Sequence, residues 1–90
     1  MKAIYKYSLQ IIDEQTISMP KDAKILTIET LYNQPMLWAN VDCAKEYEPV
    51  TIITLPTGST LVEYEDMSLE YIGSYQLGGG NFVGHVFVKR

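Results

Sequence analysis

Lys2, Lys6, Lys89 and Arg90 are four of the seven basic residues in this chain of 90, and they stand at its two ends. Brought onto one seam, their ammonium and guanidinium groups can hold the oxygens of a phosphate group. The remainder is acidic: the net charge is −4, and between Lys45 and Lys89 lie Glu46, Glu48, Glu63, Glu65, Asp66 and Glu70 without one base. A cationic spot on a negative molecule favours a small phosphorylated ligand and repels a long polyanion. Binding to duplex nucleic acid needs a broad basic face that releases counterions, so that class of partner is not expected. Trp38, on the polar side of its strand beside Asn40 and Asp42, could stack on a base or sugar, or pack beneath a loop. Tyr75 is a candidate aromatic platform, and Asn81 and His85 are candidate polar contacts. Gly78, Gly79 and Gly80 could form a backbone nest for an anion, but the same tripeptide serves a hairpin turn. No Gly-Lys-Ser/Thr and no helix start follow it, which excludes a nucleotide P-loop.

Catalysis is poorly provided for. The chain has one histidine, one cysteine and no pair of acids at a telling spacing. His85 alternates with Val83 and Phe87, the pattern of a half-core histidine, so an enzyme acting through it is the weakest reading. Glu63, Glu65 and Asp66 read as a solvated loop face, and no spacing supports a metal site. The expectation is a protein without catalytic residues, metal or cofactor. A single cysteine, Cys43, allows no intramolecular disulfide, and its neighbours Val41 and Ala44 suggest a buried, inert thiol. Apolar runs fall far short of the roughly 20 residues that span a bilayer, and nothing resembles a signal peptide. No membrane contact and a cytoplasmic location are therefore expected. Seven tyrosines exceed what one small core can bury with every hydroxyl satisfied. Tyr5, Tyr7, Tyr71 and Tyr75 are thus candidates for a subunit contact or ligand platform, and a small core favours a homo-oligomer.

The elements that must position these residues have period two. Ninety residues make one domain, 1–90. In MKAIYKYSLQII, Tyr5, Tyr7, Leu9 and Ile11 fall on one side and Lys6, Ser8 and Gln10 on the other. Residues 15–31 read as a hairpin turning at Pro20, Lys21 and Asp22. After a turn at Tyr32, Asn33 and Gln34, PMLWANVDC places Leu37, Ala39, Val41 and Cys43 towards a core, with Met36, Trp38, Asn40 and Asp42 opposite. PVTIITL is a β-branched strand with Pro49 at its first position. Residues 60–70 read as a loop with one short element, carrying Leu61 and Tyr64 inward. Tyr71 to Leu77 is a strand interrupted by Gly73, marking a bulge or a close approach. GGGN turns the chain into FVGHVFV, where Gly84 removes a side chain between crowded backbones. Seven short strands and no helical period predict an all-β, mainly antiparallel fold, either a small barrel or a two-sheet sandwich. In a barrel the first and last strands pair, which brings Lys2 beside Arg90 with Lys6 along the same seam.

The segments PMLWANVD, LPTGS and YIGSYQLGGGNFVGHVF, with the opening MKxIxKY and the MPKxAKIL turn, resemble a family of short phage and prophage proteins almost end to end. None of these motifs is a chemical signature. The TG corner is often followed by histidine in that family, whereas Ser59 follows it here, so no acid, base or ligand role carries over to that corner. Small accessory phage proteins often disarm host defences, and one strategy is an oligomeric sponge that sequesters a cyclic nucleotide immune signal. The resemblance implies a phage-encoded, non-enzymatic protein of that kind, acting in an infected or lysogenic bacterial host. The competing class is a module that binds a host defence or virion protein through a tyrosine-rich face or an exposed strand edge.

Overall fold

Alternation of period two sets the strands. A computed structural model describes residues 1–90 as β1 (Lys2–Ser8), β2 (Glu14–Pro20), β3 (Lys24–Leu31), β4 (Gln34–Asp42), β5 (Tyr47–Pro56), β6 (Leu69–Leu77) and β7 (Phe82–Lys89), with 3-10 turns at Val62–Tyr64 and Gly78–Gly80. All pairings are antiparallel. A three-stranded sheet has the order β1-β4-β3, and a four-stranded sheet has the order β2-β5-β7-β6. The two sheets face one another as a sandwich and do not close into a barrel.

The core lies between them. Leu37, Ala39 and Val41 of β4 meet Ile52 of β5 and Val86 and Val88 of β7, joined by Leu9, Met19, Ile28 and Tyr75. Each fully buried Leu, Ile or Val contributes about 1.5–3 kcal/mol. The sheets adjoin along β3 and β6, where Thr30 Oγ1 donates to the carbonyl of Gln76 at 2.9 Å. Gly73 sits at a register shift in β6 and faces Ile28, whose Cγ1 would lie 3.7 Å from a Cβ built there. Gly73 thus borders a bulge, and a Cβ there would make only an ordinary contact. Gly84 is the crowded position: a Cβ there would fall 2.7 Å from Cζ of Tyr75.

Several expectations are corrected. Residues 15–31 do not form a hairpin, because β2 pairs with β5 and β3 with β4. The reason lies in the competitors for β3. Tyr32 and Asn33, both with positive φ (51° and 60°), form a two-residue turn of type I′ that locks Leu31 opposite Gln34, and β6 of the other sheet packs against β3. Pro20 to Ala23 instead carries the chain between sheets, with Asp22 at φ 64°. Nor do the first and last strands pair. β7 is interior, with β5 and β6 on its two edges, so no edge remains for β1. Strand β1 ends at Ser8; Leu9 is buried as expected, but Ile11 is exposed. Between strands 5 and 6 the one short element is the 3-10 turn, and Leu61 faces solvent while Tyr64 is half-buried. Cys43 is half-buried rather than buried, with Sγ 3.1 Å from the hydroxyl of Tyr5.

Candidate functional site

The outer face of the three-stranded sheet is built on β4. Because side chains alternate, Leu37, Ala39 and Val41 turn inward and Trp38, Asn40 and Asp42 turn outward, whereas Met36, expected on that outer side, is buried. Register then lays out rows across the face: Lys2 opposite Asp42, Ile4 and Lys24 flanking Asn40, and Lys6 and Thr27 flanking Trp38. Four of the nine residues singled out from sequence (Lys2, Lys6, Trp38 and Asn40) therefore share one face.

At the end of this face, where β1 and β3 begin and the turns after β2 and β4 converge, a cleft of about 300 Å³ opens. Lys2, Lys21, Lys24 and Lys45 line it with Asn40, Asp22 and Asp42. Both acids are engaged. The Met1 ammonium donates to Asp42 Oδ1 at 3.2 Å, and the Ala44 amide donates to the same oxygen at 3.1 Å. The amide first and the ammonium second hold the Asp42 carboxyl below its ordinary range. Lys45 Nζ donates to Asp22 Oδ2 at 2.9 Å, which lowers the Asp22 carboxyl and raises the Lys45 ammonium. Lys2, Lys21 and Lys24 make no ion pair.

The cleft thus collects four of the seven bases with two of the eleven acids, a side-chain charge of +2. The other three bases and nine acids leave −6 on the rest of the molecule. Trp38 lies one row along from Asn40. Its ring is half-buried rather than open, Lys6 Nζ stands 5.9 Å from its centre, and its indole N–H is buried without a partner.

The other five candidates lie elsewhere. Lys89 and Arg90 belong to the β7 end of the other sheet, where Arg90 Nη2 donates to Glu70 Oε1 at 2.8 Å and the Arg90 amide to the carbonyl of Ser68. The seam of terminal cations does not form, since β1 and β7 are in different sheets. Tyr75 is only 3% exposed and is no platform. Asn81 ends the glycine turn of the β6–β7 hairpin; one donor of that turn, the Gly78 amide, is already given to Asn33 Oδ1. His85 lies in a separate cleft with Thr57 and Tyr71. Its Nε2 is 2.7 Å from Thr57 Oγ1 and its Nδ1 is 2.9 Å from the Tyr71 hydroxyl. Both ring nitrogens are therefore occupied. The four tyrosines share no exposed face: Tyr5 and Tyr7 pack against the core, Tyr75 is buried, and Tyr71 is exposed beside His85.

Sequence reasoning missed Lys21, Lys24 and Lys45. Their signal was their position beside the two turns that hold Asp22 and Asp42, but only the pairing of β3 with β4 shows that these turns meet. No helix is long and apolar enough to cross a membrane. No curated protein and no solved structure matches the chain. One family does, over residues 1–90, and it is described as a domain of unknown function. With the whole sandwich inside that match, cleft and both turns included, the chain belongs to the DUF7352 family.

Proposed function

We propose that this protein captures a small phosphorylated ligand on the outer face of the three-stranded sheet and releases it chemically unchanged. One observation carries the reading: three lysines without ion-pair partners, Lys2, Lys21 and Lys24, converge around Asn40 in a cleft of about 300 Å³ on a molecule that is negative elsewhere. Lysine is a compact cation that holds phosphate oxygens as a point charge, and the surrounding acidic surface disfavours long polyanions. The volume is at the small end of ligand pockets, enough for a phosphate group and the atoms next to it. A nucleotide suits the face because Trp38 lies about 7 Å along the strand from Asn40. A base reaches the ring when Lys6, on a flexible stem, swings aside. The resemblance to phage and prophage proteins supports the narrower reading, a sponge that holds a cyclic nucleotide signal in the cytoplasm of a bacterial host. Self-association fits the same picture, since β1 and β2 each keep an unpaired edge.

Thermal melting against a panel of cyclic and linear nucleotides, with inorganic phosphate alongside, tests the proposal, because a ligand that binds only the native state raises the melting point. The expected result is a rise with at least one nucleotide that is recovered intact, lost in K2Q/K21Q/K24Q and kept in K89Q/R90Q. No rise with any nucleotide or with phosphate overturns it. A contact with a host or virion protein is the second reading, favoured by Tyr32, which stands 95% exposed at the tip of the β3–β4 hairpin. That contact would survive the lysine changes and fail on Tyr32→Ala.

A further inference from the structure

The outer face of the four-stranded sheet carries a hydrogen-bonded row of side chains that the lysine cleft does not use. Val86 and Val88 of β7 face the core, so alternation turns His85 and Phe87 to the other side. Because β7 is interior, His85 has a strand on each flank: β5 places Leu55 opposite it and β6 places Ser74. Just past β5 the Thr57 amide donates to the Val83 carbonyl, which carries the pairing one step further and sets Thr57 at one side of the imidazole. On the other side Tyr71, paired with Phe87, is the diagonal neighbour of His85. Its ring meets Phe87 edge-on with centres 5.2 Å apart and stands 5.9 Å from the imidazole.

The imidazole thus bridges two hydroxyls. Thr57 Oγ1 lies 2.7 Å from Nε2, and the Tyr71 hydroxyl lies 2.9 Å from Nδ1. With the ring proton on Nδ1 and donated to Tyr71, Nε2 is left to accept from Thr57, which is the order nucleophile, base, orienting group. These groups are open to a substrate: Thr57 is exposed, Tyr71 is 53% exposed, and all three line a cleft of about 220 Å³. Leu55, Leu61 and Phe87 give that cleft apolar walls. At its corner the Thr57 and Ser59 amides are given to the carbonyls of Val83 and Pro56, whereas the Gly58 amide between them has no acceptor. A free amide beside a nucleophile is a donor for the oxyanion of acyl transfer.

We infer that this cleft is an acyl-transfer site that hydrolyses small neutral esters with an apolar acyl group, with Thr57 as nucleophile, His85 as general base and Tyr71 as a positioning residue. The Thr57 oxygen attacks the ester carbonyl and its proton passes to His85 Nε2. The bond from carbonyl carbon to alkoxy oxygen then breaks, and the imidazolium gives that proton to the departing alcohol. Water, deprotonated by the same nitrogen, attacks the acyl-threonine; the carboxylic acid leaves, and the proton returns to Thr57. The excess of acids outside the lysine cleft disfavours anionic substrates, so phosphate esters are not expected here. A neutral phenol stabilises the imidazolium less than a carboxylate does, so the reaction is slow and shows best with an activated ester. The inference does not depend on the ligand proposed for the lysine cleft.

Para-nitrophenyl acetate and butyrate are the probes, given to the parent protein and to Thr57→Val, Thr57→Ser, His85→Gln and Tyr71→Phe. The parent should release nitrophenol in a burst, and peptide mass mapping should place the acyl group on Thr57. Thr57→Val should lose burst and adduct, Thr57→Ser should keep both, and His85→Gln should slow adduct formation roughly a hundredfold. Tyr71→Phe should slow it about tenfold and, in imidazole nitrogen chemical shifts, weaken the preference for a proton on Nδ1. Hydrogen bonds that merely fasten the corner to β7 would lower the melting point of these variants with no adduct in the parent, and that result overturns the inference. So would a parent imidazole protonated on Nε2, a rate unchanged in Thr57→Val, or acyl groups on lysines alone. Should Thr57→Val fail to fold, the parent's adduct and its imidazole shifts carry the same comparison.

Discussion

Asp22 and Asp42 show how single residues prepare the cationic cleft. Each carboxylate neutralises one cation and leaves three lysines free. Each has a folded-state pKa below the ordinary 3.8. A carboxylate depressed in this way stabilises the fold in full above its unfolded pKa and loses that contribution as pH falls through the folded value. Lys45 has the opposite sign: its pKa is raised above 10.5, so its contribution is present below that value and lost as pH rises through the folded one. Melting of the parent should therefore fall more steeply below about pH 4 than melting of D22N/D42N, and the two slopes should coincide from about pH 5 to 8. Both groups are open to water, so the effect is modest and shrinks with salt. At this scale the outward position of Asn40 and Trp38 was readable from alternation alone. The burial of Tyr75 was not, because it depends on the space that Gly84 leaves on the neighbouring strand.

Among the elements, the β3–β4 hairpin decides most. Its turn holds Tyr32 at φ 51°, a left-handed conformation that costs a bulky side chain more than asparagine or glycine. Tyr32 is almost wholly exposed and packs on nothing. Tyr32→Asn should raise stability by about 0.5–1 kcal/mol in urea denaturation; a loss would mean that the tyrosine makes contacts in solution. Asn33, beside it, also accepts from the Gly78 amide at 3.2 Å, tying this hairpin to the β6–β7 hairpin. The two-residue turn explains why the expected 15–31 hairpin does not exist. One edge of β3 is taken by β4, and β6 of the other sheet packs against the strand. Strand positions were predictable because each follows its own local pattern. Strand partners were not, because several edges compete for each one.

Across the whole molecule, charge is partitioned rather than spread: +2 in the cleft and −6 elsewhere in side-chain charge. Attraction of an anion to such a spot is screened beyond a Debye length of about 10 Å at 0.1 M salt. Nucleotide affinity should thus fall several-fold between about 0.05 and 0.3 M salt. Titration calorimetry of the nucleotide across that range measures the fall; an affinity indifferent to salt would argue against capture by the lysines. The chain alone determined the all-β class, the inward face of each strand and the total charge, since all three are sums or short-range patterns. Which lysines meet was decided only by the tertiary structure. Neighbourhood in a sandwich is set by which edges are filled, and placing β7 inside its sheet sent Lys89 and Arg90 one way while the β3–β4 pairing drew Lys2, Lys21, Lys24 and Lys45 together.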